Sequence, residues 1–241
     1  MLRGLRKCLR LRSKEFRVPE RLRLVSEPPV LEQVVISIPH HSADTVTVKY
    51  DTIVRNHPQD NKNKVMLWVG KEVDWTSTPE SIQLVENNDA NGTFTMENLR
   101  LKSKEYTVGY SVTGEVMGIC ASALVKGTLP IEELLLAPTS VKLTLRSLDK
   151  TKLVIDYATL RGYNPKSAGN WMGLWRGDID PFKTYAPVLV CLPEDDVNEG
   201  RATFLTEFRE QSTYTVGYFM ADKENQTTNK TAAALFRFDT A

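Results

Sequence analysis

The sequence predicts an all-β chain of two antiparallel sandwiches in tandem, preceded by a basic arm. Three observations predict it. A set of aromatic and glycine positions recurs at a nearly constant offset of 107. Between those positions lie short apolar–polar alternations, the period of a half-buried strand. Asn, Asp, Gly and Pro clusters separate them, and no strand–long helix alternation of an α/β fold intervenes.

The repeat is read first, because its period sets the fold. Tyr106-Thr-Val-Gly-Tyr110 recurs as Tyr214-Thr-Val-Gly-Tyr218, an offset of 108. Trp68-Val-Gly70 returns as Trp175-Arg-Gly177 at an offset of 107, which also relates Pro58 to Pro165 and Tyr50 to Tyr157. Ala121–Val125 parallels Ala232–Phe236 at 111, the drift falling in turn-like stretches where insertions belong.

Taken in order, each copy reads as strands. Val35–Ile38 and Lys142–Leu145 open the copies. Val46–Tyr50 and Leu153–Tyr157 alternate cleanly. Lys64–Gly70 and Trp171–Gly177 are apolar runs that suit strands buried on both faces. Gly92–Met96 and Ala202–Thr206 follow, then the two Tyr-Thr-Val-Gly-Tyr strands, then the alanine-rich closers. About seven short strands per copy predict immunoglobulin-like β-sandwich domains. The boundaries expected are an arm over 1–29, a first domain over 30–126, a linker over 127–138 and a second domain over 139–241. Pro130 and Pro138 bracket the linker, with a short helical turn expected between them.

Composition excludes several classes. With 41% hydrophobic and 25% charged residues, a packed core is expected rather than wholesale disorder. Three cysteines, Cys8, Cys120 and Cys191, do not make a disulfide framework. With no apolar signal-like segment the expected setting is cytoplasmic, or mitochondrial if the arm is a presequence. Residues 1–24 hold nine Lys or Arg and two Glu, so a chain of net charge +1 carries −6 beyond them. Arg3, Arg6, Arg10 and Arg12 are the arm residues expected to meet an acidic surface: protein, anionic membrane or nucleic acid. A disordered tail is the plainer alternative.

The second copy also carries Tyr163-Asn-Pro165, Trp171-Met-Gly-Leu-Trp175, Tyr214-x-Val-Gly-Tyr-Phe219 and Ala232-Ala-Ala-Leu-Phe-Arg-Phe238. This pattern resembles SKICH-type immunoglobulin-like modules, and its Tyr-Thr-Val strand resembles that of fibronectin type III domains. The resemblance implies a β-sandwich that recruits other proteins. The first copy departs from it, with Lys64 for the first Trp and Met66 for the Gly.

Candidate sites lie where the copies differ. Trp68 and Trp175 are shared, and core packing is expected of both; Tyr106 and Tyr214 are expected to bury their rings and bond backbone through their hydroxyls. Trp75, Trp171 and Tyr163 are candidate contacts for protein or glycan, since aromatic rings bury large area at low entropy cost. Burial is the stronger alternative for Trp171. His40, His41 and His57 lack metal-ligand spacing, so loop positions are expected. Asp178-Ile-Asp180 and Glu194-Asp-Asp196 would bind Ca²⁺ only if their loops converged. No nucleophile–base pair, phosphate loop or cofactor motif is present; Cys120 reads as a buried thiol, and so does Cys191, within the apolar strand expected over Val188–Leu192. The function expected is therefore a non-enzymatic protein-binding adaptor or structural assembly component, with no cofactor and no metal. The alternative is a carbohydrate- or ligand-binding module of lectin or toxin type.

Overall fold

The computed structural model describes residues 29–102, 105–125, 139–180, 182–183, 186–220 and 230–241. Arg3, Arg6, Arg10 and Arg12 of the arm, and the linker with its expected helical turn, lie outside the described residues. The chain is all-β. In chain order the strands are β1 (Val30–Gln33), β2 (Val35–His41), β3 (Val46–Asp51), β4 (Lys64–Val69), β5 (Ser81–Leu84), β6 (Asn91–Met96), β7 (Tyr106–Ser111) and β8 (Ile119–Val125). The second copy supplies β9 (Lys142–Asp149), β10 (Lys152–Ala158), β11 (Trp171–Arg176), β12 (Leu189–Cys191), β13 (Glu199–Leu205), β14 (Thr213–Phe219) and β15 (Ala232–Asp239).

Each copy packs a three-stranded sheet on a four-stranded one. The first pairs β2-β3-β6 with β5-β4-β7-β8; the second pairs β9-β10-β13 with β12-β11-β14-β15. Every strand of one order has its counterpart in the other, so the sequence duplication is a duplication of topology. All these pairings are antiparallel. Every sequence-predicted strand is present. Two were not foreseen: β5, and β1.

β1 is the exception to the tandem picture. The sequence assigns residues 30–33 to the first domain, yet β1 pairs with β15 of the second, Val30 opposite Arg237 and Gln33 opposite Ala234. The exchange is reciprocal. Val34 N donates to Ala233 O at 3.0 Å, and Val141, its equivalent in the repeat, donates to Cys120 O at 2.9 Å. Ser140 bridges Ala121 of β8. Each copy thus places its entry segment against the closing strand of the other. Gln33 and Ser140 are themselves equivalent positions, and they meet through a 3.2 Å hydrogen bond. Contact between equivalent positions marks a twofold-like relation, the geometry of an isologous dimer within one chain.

The shared pentapeptide is explained residue by residue. Tyr106, Val108 and Tyr110 face the sandwich interior, as do Tyr214, Val216 and Tyr218. The hydroxyls of Tyr106 and Tyr214 accept backbone N–H groups from Lys102 at 3.0 Å and Arg209 at 2.8 Å, pinning the preceding corner. Thr107 and Thr215 donate side-chain hydroxyls to the carbonyls of Gly70 and Gly177, both at 2.8 Å. Those glycines sit at φ +121° and +97°, where a side chain would be strained, which is why each apolar run ends in Gly. Gly109 and Gly217 face outward, and rings lie over them: a Cβ would come 3.2 Å from Trp68 at the first and 2.6 Å from Phe219 at the second.

Candidate functional site

The outward faces of β4 and β11 are buried too, as the apolar runs predicted, and part of the cover comes from the other copy. Trp171, Trp175, Phe219 and Leu235 form one cluster that takes in Ile53 of the first copy. Met66, Trp68, Val73 and Ile119 form another that takes in Leu160 of the second. Ile53 and Leu160 are related by the same offset of 107, so the two loops clasp each other's sheet reciprocally. Trp68 and Trp175 are therefore buried, but between the copies rather than inside either sandwich.

The unshared aromatics fall on this clasp. Trp75 is half-buried; its indole N–H donates to Arg161 O at 2.8 Å, and its ring lies 4.8 Å from that of Tyr163. Tyr163, 1% exposed, donates its hydroxyl to Met117 O across the junction at 2.6 Å and also contacts Asn170 Oδ1 at 2.9 Å. Burial pushes the Tyr163 hydroxyl pKa up, while its hydrogen bond with Asn170 pulls the other way. Trp171, also 1% exposed, stacks on Phe219 at 4.1 Å. Of the three sequence-predicted contact residues the structure brings Trp75 and Tyr163 together, as an internal clasp, and leaves Trp171 apart in the other cluster. As candidates for an external ligand, Trp171 and Tyr163 are corrected: their rings are occupied by packing.

Asn63 and Asn170 were missed, although an offset of 107 relates them. Tyr110 Oη donates to Asn63 Oδ1 at 3.1 Å, and Asn170 Nδ2 donates to Tyr218 Oη at 2.9 Å. Their recurrence five residues after the shared Pro58 and Pro165 was the available signal.

The remaining candidates separate cleanly. His40, His41 and His57 are exposed, the first two at the end of β2 rather than in a loop. Asp178 and Asp180 follow the end of β11, whereas Asp196 accepts from Ser167 N at 3.0 Å before that strand begins. The two acidic groups thus occupy opposite ends of β11 and do not converge. Asp178 and Asp180 meet Arg237 at 2.8 Å and Arg55 at 3.4 Å. Among the described residues no group of three His, Cys, Asp or Glu is placed to hold a metal ion. Cys120 is buried, which pushes its thiol pKa up. Cys191 is only partly buried, on an edge strand. Among the described residues no helix is long and apolar enough to cross a membrane.

Several exposed apolar side chains gather on two equivalent edge strands. Ile82 and Leu84 of β5, and Val188, Val190 and Leu192 on and beside β12, are exposed. Both strands end their sheet orders, so one backbone edge of each pairs with no described strand.

No family model matches the chain, and no curated protein matches it. Two solved structures show weak similarity to it. A purple acid phosphatase from yellow lupin (Lupinus luteus) seeds has 9% identity and a TM-score of 0.30, with 78% of this chain covering 38% of that one. A DUF3823 family protein from Bacteroides uniformis has 9% identity and a TM-score of 0.27, with 85% of this chain covering 96% of that one. The chain thus spans about two-fifths of the phosphatase's length.

Proposed function

We propose that the chain is a non-enzymatic protein-binding or assembly component, whose two clasped sandwiches act as one stiff platform. The observation that carries this reading is the exposed apolar pair Ile82 and Leu84 on the open edge of β5. An unpaired, apolar sheet edge is a liability unless something pairs with it. An extended peptide added there would gain main-chain hydrogen bonds from the edge and specificity from alternate side chains. The clasp supports the reading by fixing the edges of both copies in one frame. The carbohydrate alternative loses its support, because two of its three aromatics are buried.

The test is an affinity pull-down from the native extract with the full chain as bait, read by mass spectrometry. The double variant Ile82→Lys, Leu84→Lys is expected to lose the retained proteins while melting at the same temperature. An unchanged set of partners with that variant would contradict the reading.

A further inference from the structure

The alternation of exposed and covered residues along β5 runs past both ends of the strand. Glu80, Ile82, Leu84 and Glu86 are exposed, while Ser81, Gln83 and Val85 between them are partly or fully covered. The outer stripe of this edge therefore reads acid, apolar, apolar, acid. Neither carboxylate is held in an ion pair with another described residue. Two backbone bonds anchor the ends of the strand to β4: Glu80 N donates to Leu67 O at 2.7 Å, and Val85 N donates to Asn63 O at 3.1 Å. Antiparallel alternation then turns Gln83 N toward β4 and the amides and carbonyls of Ile82 and Leu84 toward the open side. The same two residues offer both backbone hydrogen bonds and apolar side chains.

The Gln83 side chain holds this edge in place. Its amide donates to Glu97 O at 3.0 Å and its oxygen accepts from Glu97 N at 3.4 Å, tying β5 to the end of β6. Glu97 is exposed and brings a third carboxylate beside the edge. The nearest lysines in sequence and register are Lys64, opposite Leu84, and Lys62. They belong to β4 and the turn before it, on the side of β5 away from the open edge.

We propose that the β5 edge takes an extended, basic-flanked peptide of another protein. Its apolar residues would lie beside Ile82 and Leu84, and Lys or Arg at the ends that carry Glu80 and Glu86. This rests on the reading of β5 as a docking edge and adds the chemistry of its partner. Side chains on neighbouring strands come within about 5 Å, where unlike charges attract and like charges repel. Complementary charge therefore decides which partner is admitted. A second copy of the chain is a poor occupant. The antiparallel register that sets Ile82 opposite Leu84 also brings Glu80 of each copy to Glu86 of the other. The acids thus keep the edge from pairing with itself while favouring a basic partner. In the second copy Glu194 follows Leu192 as Glu86 follows Leu84, but Val188 stands where β5 has Glu80. The demand for a cation at both ends belongs to β5.

Two fluorescein-labelled peptides test this against the full chain by fluorescence anisotropy: Lys-Thr-Val-Thr-Val-Thr-Lys and Glu-Thr-Val-Thr-Val-Thr-Glu, with blocked ends. The basic peptide is expected to bind about tenfold or more tightly than the acidic one, the gap closing in high salt. The double variant Glu80→Lys, Glu86→Lys is expected to reverse that order. Ile82→Pro removes a donor that faces the open side and spares the β4 ladder, so it should fold and lose the basic peptide. Equal binding of both peptides, abolished by Ile82→Pro, overturns the basic-flanked partner while leaving β5 a docking edge. No binding of the basic peptide, or binding that survives Ile82→Pro, overturns the proposal. So does a dimer in sedimentation that Ile82→Pro dissociates, which would show the edge filled by a second copy.

Discussion

The two copies share one topology, yet two of their unshared aromatics meet in one place. Where they agree, at Tyr50/Tyr157, Asn63/Asn170, Trp68/Trp175 and the Tyr-Thr-Val-Gly-Tyr strands, the residues build a sandwich or its outer face. Where they disagree, at Trp75 and Tyr163, the side chains reach across the junction. Duplication leaves two similar surfaces facing each other, and the unshared residues make that meeting specific. An unshared aromatic in a tandem repeat is thus as good a candidate for the internal interface as for an external ligand.

The likeness of the copies can be broken at several strengths. The largest effect is expected from Trp175→Ala, which empties a fully covered outer face. It should cost about 3–5 kcal/mol in urea unfolding, and Trp68→Ala should cost a similar amount because the clasp is reciprocal. Next come Ile53→Ala and Leu160→Ala, each about 2–5 kcal/mol by the same measurement. Each removes a side chain from the copy opposite to the one whose sheet it covers. Matching losses would support the twofold-like relation; a loss at one position alone would break it. Tyr163→Phe leaves the Met117 carbonyl and Asn170 short of a partner in a buried site, for about 1–3 kcal/mol. The smallest effect is expected from the Arg161–Glu72 pair at 2.8 Å, whose side chains are 72% and 50% exposed. A double-mutant cycle there should return about 0–1 kcal/mol and less in high salt.

Much of the fold was legible because a strand's period of two survives in short apolar runs, and because the repeat doubled every signal. Lys64–Gly70 and Trp171–Gly177 announced burial on both faces. They did not say that the sister copy supplies part of the cover, since side-chain periodicity records that a face is dry and not what dries it. β1 was illegible for a related reason. It is short and carries no distinctive pattern, and its partner β15 lies at the far end of the chain. The candidate aromatics were half legible: Trp75 and Tyr163 do meet, but only the fold shows that Gly162 and Arg161 bring them together from opposite copies. The edge apolar residues of β5 and β12 were missed as a site. Exposed Val, Ile and Leu are common enough on surfaces to carry no signal until the sheet order shows an open edge.

The central claim is that the two sandwiches are one folding unit, held by exchanged entry segments and a reciprocal clasp. Scanning calorimetry of the chain tests it most directly. One folding unit predicts a single transition whose van't Hoff and calorimetric enthalpies agree, and which shifts as a whole when Leu153→Ala is introduced in the second sandwich alone. Two transitions, with only one of them moved by that substitution, would contradict it.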